Sequence, residues 1–90
     1  MLDQIKYELE KRQLISDLII KAFYQTTEKK PGKTQVGKIQ DAIYKALKLS
    51  KSPANNALID ATIRANGVER YINTGKSYYK NICVKEAYGS

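Results

Sequence analysis

Apolar residues recur at helical spacing from the start of the chain: Leu2, Ile5 and Leu9, then Leu14, Ile15, Leu18, Ile19, Ala22 and Phe23. This i, i+3, i+4 rhythm predicts helix over residues 2–26, as one long helix or two short ones, with a buried stripe along one side. The stripe is denser after Leu14. Residues 3–13 are rich in Asp, Gln, Glu, Lys and Arg, so they read as an extension beyond the core, either a pairing surface for a second copy or solvated, fraying turns.

The pattern breaks at Glu28-Lys29-Lys30-Pro31-Gly32-Lys33. Pro-Gly stops a helix and close-spaced lysines repel, which predicts a loop. A second helix is expected over 34–48, capped by Thr34, with Val36, Ile39, Ile43, Ala46 and Leu47 inward. Gly37 costs about 1 kcal/mol there relative to Ala, and its place is explained if it packs closely on the first helix. Leu49-Ser50-Lys51 reads as a turn. Ser52 then caps a third helix over 53–66, Pro53 takes its first position, and Gly67 supplies a left-handed stop. A seam through Leu58, Ile59, Thr62 and Ile63 buries two isoleucines, so it is preferred to the competing seam through Ala54, Leu58, Ala61 and Ala65.

Beyond Gly67 the period changes from helical to alternating. Val68–Ile72 and Ser77–Val84 have β-branched and aromatic strand composition, and Asn73-Thr74-Gly75-Lys76 reads as the hairpin loop between them. Ile72, Ile82 and Val84 are expected to face the helices. A short third strand is expected near residues 33–35, and residues 86–90 as a disordered tail.

Ninety residues with 42% hydrophobic content are enough for one folded domain, placed at residues 1–85, with a modest core. No apolar run approaches the roughly 18 residues of a membrane span, and the N-terminus lacks a signal-peptide pattern. One cysteine, Cys83, and no histidine rule out a Cys/His zinc site, an internal disulfide and histidine-dependent catalysis. No cofactor or metal is expected, and the compartment reads as the cytoplasm.

Charge is unevenly divided. Residues 1–28 carry four basic and five acidic side chains, a net −1, whereas residues 29–85 carry twelve basic and three acidic, a net +9; Glu86 brings the chain to +7. A strongly basic segment joined to a near-neutral helix points to a polyanion-binding face beside a segment with another task. General solubility is the competing explanation.

Helix, turn, helix, then a basic hairpin is how a winged helix-turn-helix looks in sequence. The expected fold class is therefore α+β, mainly α: three helices plus a two-stranded wing, acting as a non-catalytic binder of duplex DNA. The third helix would offer Asn55, Asn56, Asp60 and Arg64 to base edges, because Asn pairs bidentately with adenine and Arg with guanine. Lys33, Lys38, Lys51, Arg70, Lys76, Lys80 and Tyr79 would take the backbone. Dimerisation, or attachment to a protein partner, falls to the N-terminal helix. Two alternatives remain open: an adaptor docking on an acidic protein, and a binder of single-stranded nucleic acid or RNA.

Two catalytic motifs fail. Gly32-Lys33-Thr34 ends like a phosphate-binding loop, but the required earlier glycine is replaced by Thr27 and no strand precedes it. Tyr78-Tyr79 lacks the His, Arg or carboxylate cluster that a tyrosine nucleophile needs. It reads instead as one core ring and one surface ring. Cys83 reads as a small, partly buried hydrophobe.

The run from Gly67-Val68 through Asn-Thr-Gly-Lys, Tyr78-Tyr79 and Lys80-Asn81-Ile82-Cys83-Val84 resembles a particular wing. It is similar to the small C-terminal winged-helix domain of phage, plasmid and poxvirus-type primase-helicases, over about 35 residues. The resemblance implies binding of origin or fork DNA in replication. The ATPase to which that domain is attached has no counterpart here, so the resemblance implies either an excised domain or a small phage or mobile-element factor.

Overall fold

A computed structural model describes residues 2–86, apart from the side chain of Leu2. The elements follow as α1 (Leu2–Thr26), β1 (Thr27–Gln35), α2 (Val36–Leu47), α3 (Pro53–Ala65), β2 (Arg70–Asn73) and β3 (Lys76–Val84). The fold is α+β, with three helices and a small antiparallel sheet in the order β1-β3-β2. The sheet has three strands where a two-stranded hairpin with a brief addition was expected.

The apolar stripe forms the core only from its second half. Ile19, Ala22 and Phe23 are buried with Val36, Ile39, Ile43 and Tyr44 of α2, Ile59 and Ile63 of α3, and Tyr79 and Ile82 of β3. Ile5, Leu9, Leu14 and Leu18 are exposed, so the first half of α1 leaves its apolar stripe largely uncovered. On α2, Ala42 and Tyr44 are buried while Ala46 is exposed. On α3, Ile59, Thr62 and Ile63 are inward and Leu58 is half-buried, which is the seam preferred for burying both isoleucines. Ser16 and Thr62 meet between α1 and α3 with their hydroxyls 3.1 Å apart, giving each polar group a partner at the helix contact.

The segment expected to be a loop is most of β1, a nine-residue strand. Local lysine repulsion does not prevent it, because the strand lies at the sheet edge with its lysines in water. Thr27 pairs with Val84 and Lys29 with Ile82, then Lys33 with Lys80 and Gln35 with Tyr78. Residues 30–32 therefore oppose Asn81 alone. This bulge absorbs Pro31, which has no N–H to give. Asn81 takes φ +59° there, and its side-chain carbonyl accepts from the N–H of Gly32 at 3.4 Å.

The extended strand moves the second helix start. Gln35 is the N-cap of α2, without a side-chain cap bond. Thr34 instead donates to the carbonyl of Ile82 at 2.7 Å. Gly37 has open space where a side chain would stand, so it does not mark close packing on α1. Ser52 caps α3 by accepting from the N–H of Asn55 at 3.1 Å, directly before Pro53. Thr74 (φ 50°) and Gly75 (φ 79°) form the two-residue hairpin turn, whose positive φ values match the right-handed twist of the flanking strands. Ile72 is 74% exposed: it lies on the helix side of the short edge strand, but beyond the point where a helix covers it. The expected tail falls largely at residues 87–90, outside the described residues.

Candidate nucleic-acid interface

Burial of Leu58, Ile59, Thr62 and Ile63 leaves Ala54, Ala57, Ala61, Arg64 and Ala65 on the solvent side of α3. Small side chains let another backbone or a groove floor approach the helix. Arg64 is exposed near its end, 3.8 Å from Asp60. Asn56 is exposed on the flank toward α2, where its carbonyl oxygen accepts from the Tyr44 hydroxyl at 2.5 Å. Asn55 is half-buried, and its amide donates to the carbonyl of Ser50 at 2.8 Å, which holds the α2–α3 turn.

Asp60 has a structural task instead of an open one. Its side chain is only 15% exposed, and one carboxylate oxygen lies 2.9 Å from an Arg70 guanidinium nitrogen. The same oxygen accepts from the Tyr79 hydroxyl at 2.5 Å. Burial pushes the Asp60 pKa up, but hydrogen bonds from Tyr79 and Arg70 and the charges of Arg70 and Arg64 outweigh it, leaving the carboxyl below its ordinary 3.8. For Tyr79, burial and then the hydrogen bond and charge of Asp60 drive the phenol well above its ordinary 10.0. This cluster fastens α3 to both strands of the hairpin.

Two expectations change as a result. Tyr79 has no exposed surface and is the core ring of the tyrosine pair, so it cannot lie along a nucleic-acid backbone. Asp60 is turned inward to Tyr79 and Arg70 and does not face a base edge. A single sequence could not reveal either, because the pairing depends on how the hairpin is placed against α3.

The expected phosphate ligands divide between two surfaces. Lys38 is exposed on α2. Lys51 stands at the α2–α3 turn, 2.9 Å from Asp41, with both side chains mostly exposed, a surface pair that yields readily to competing anions. Lys76 is exposed at the hairpin tip. Lys33 and Lys80, partners across β1 and β3, lie on the sheet face away from the helices. Arg70 serves chiefly as the hairpin's tie to α3.

Some candidate contacts were not singled out from the sequence. Lys11 and Arg12 of α1 line an open groove with Ala54, Asn55 and Ala57 of α3, bringing two cations from the near-neutral segment to the flank of α3. Lys45 and Lys48 are exposed near the same turn. Lys45 lies seven residues after Lys38, a helical-face signal available in the sequence. The placement of Lys11 and Arg12 requires the α1–α3 packing and carries no local signature.

Among the described residues, no helix is long and apolar enough to cross a membrane. Comparison with family models, curated proteins and solved structures finds no match to this chain.

Proposed function

We propose that the chain is a winged helix-turn-helix that binds duplex DNA without catalysis, placing α3 in the major groove and the β2–β3 hairpin on the adjacent backbone. The observation that carries this reading is the coupling of α3 to the hairpin through Asp60, Arg70 and Tyr79. It supports a helix and a wing presented to the duplex as one unit. The order helix, strand, helix, helix, hairpin fits the winged-helix arrangement, and the basic excess after residue 28 fits a polyanion.

Asn56 and Arg64 are the proposed base-reading residues. Lys38, Lys51 and Lys76 are proposed for phosphates, with Lys11 and Arg12 beside them. The resemblance to the primase-helicase wing favours a role in phage or mobile-element replication, or in transcription control, carried out in the cytoplasm. The exposed Ile5, Leu9 and Leu14 of α1 favour a second task for that helix: attachment to a protein partner or a second copy.

Fluorescence anisotropy with random-sequence duplex DNA over a range of salt tests the reading. Lys76→Ala is expected to weaken all duplexes alike and reduce the salt slope by about one. Arg64→Ala is expected to relax sequence preference, costing about 1–3 kcal/mol at one base position. Absence of duplex binding even at low salt refutes the proposal and leaves protein docking as the use of this fold.

A further inference from the structure

A second feature of the sheet lies apart from α3 and shares only Lys76 with the duplex reading. Tyr79 enters the core, so alternation turns Tyr78 and Lys80 to the opposite face of β3. Tyr78 pairs across the sheet with Tyr71 of β2, and their rings are stacked with centroids 5.9 Å apart and planes inclined by 30°. The Lys33 ammonium of β1 lies 4.8 Å from the centre of the Tyr78 ring. Lys80 pairs with Lys33, and Lys76 continues the same face toward the hairpin tip, opposite Asn73. Glu69, 3.9 Å from Lys80, and Glu28, 3.8 Å from the Cys83 thiol farther along the sheet, are acidic groups at this surface.

Across the three strands this makes a row of ammonium, ring and ring, with two further lysines along β3. The tyrosines are half-buried and the lysines exposed, and the helices pack on the other side. Among the described residues, no third ring stacks on Tyr71, so the row ends at an edge strand with an aromatic surface. Two like charges paired across strands are unfavourable by themselves. A phosphate held near this pair would offset that repulsion.

The geometry points to a second nucleic-acid site on this face, one that takes unpaired nucleotides. A base stacks on Tyr71 and extends the tyrosine row, while its flanking phosphates lie against Lys76 on one side and Lys33 and Lys80 on the other. Stacking needs an exposed base face, which an intact duplex does not offer, so the ligand is a single-stranded segment of DNA or RNA. The inference goes beyond the duplex reading and stands without it, since it uses neither α3 nor the Asp60 cluster.

The test is anisotropy of the full chain with labelled oligothymidylate and oligouridylate of about 12 nucleotides, at low salt. Binding to either supports the site, and the tighter of the two distinguishes DNA from RNA as its source. Tyr71→Ala is expected to weaken binding by about 5- to 150-fold. Tyr71→Phe retains the π face and is expected to stay within about twofold. Tyr71→Leu keeps an apolar strand residue without a ring, so it separates stacking from strand stability and is expected to bind as weakly as the alanine variant. Circular dichroism checks each fold. The paired change Asn56→Ala and Arg64→Ala is expected to leave single-strand affinity unaltered.

Three results overturn the inference: no binding to either oligomer at low salt; parent-like affinity in folded Tyr71→Leu; or equal loss of duplex and single-strand binding in the tyrosine variants, which reduces the pair to a support of the hairpin. Single-strand binding that depends on Tyr71, in a chain that ignores duplex DNA, upholds this site and removes the α3 proposal.

Discussion

Replacing Tyr79 by Phe probes the tie between α3 and the hairpin with the smallest available change. The ring is fully buried, and Phe keeps its packing, so the loss is confined to the hydroxyl that donates to Asp60 at 2.5 Å. A hydrogen bond to a charged group contributes about 1.5–3 kcal/mol. Arg70 remains 2.9 Å from the same carboxylate, so Asp60 keeps a cationic partner and the loss stays within that range. For a domain of this size it corresponds to a fall in Tm of roughly 6–24 °C. Urea unfolding followed by far-ultraviolet circular dichroism measures it, with an unchanged slope expected because the same surface is exposed.

The pH dependence sharpens the expectation. Asp60 titrates below 3.8 in the fold, so its stabilisation is complete above 3.8 and disappears as pH falls through the lower folded value. Tyr79 titrates above 10.0 in the fold, so its stabilisation is complete below 10.0 and is lost as pH rises through the folded value. The stability gap between parent and variant should be widest between these limits and narrow on both sides. A gap under about 0.5 kcal/mol at neutral pH, the usual size for a surface change, refutes the role assigned to the cluster, as does a gap that widens in acid.

Four further changes test the local structure by the same unfolding assay. Ser52→Ala removes the oxygen that caps α3 and should cost about 1 kcal/mol; a neutral result means another group caps the helix. Gly75→Ala forces a side chain into φ +79° and should destabilise by more than about 0.4–1 kcal/mol, with the hairpin's amide exchange rising first. Ile63→Ala, at a position with no exposure, should cost about 2–5 kcal/mol, whereas a solvent-facing α3 position such as Ala61 should accept Ser almost without effect.

The helices were legible from their apolar spacing, and α3 from its punctuation as well, whereas Thr34, expected to cap α2, lies in β1. Ser52-Pro53 starts α3, Gly67 follows its end, and apolar spacing identifies the buried side. The hairpin was legible through Thr74-Gly75. Strand β1 was legible only near residues 33–35: Lys29-Lys30-Pro31-Gly32 has loop composition, and its pairing is set by residues about fifty positions away in β3. The candidate site was legible as a list of polar and basic residues, but not in their division of labour. Neighbouring tyrosines at 78 and 79 announce one inward and one outward ring. Only the strand register shows that Tyr79 is the inward one and joins Asp60, and that Tyr78 meets Tyr71. Ile72 was assigned inward by alternation, which fixes the side of a strand but not whether anything covers that side.

The bulge between β1 and β3 also governs how this protein meets its own copies at high concentration. A sheet of three strands has two open edges, each able to recruit another chain through its unpaired amides and carbonyls. One edge is β2, only four residues long. The other is β1, where Lys29, Lys30 and Lys33 repel an identical strand, Pro31 removes a donor, and the extra residues opposite Asn81 break the regular ladder. Straightening that edge, by replacing Pro31 and Gly32 with β-formers and the lysines with neutral residues, would turn a guarded border into a template for intermolecular sheet growth.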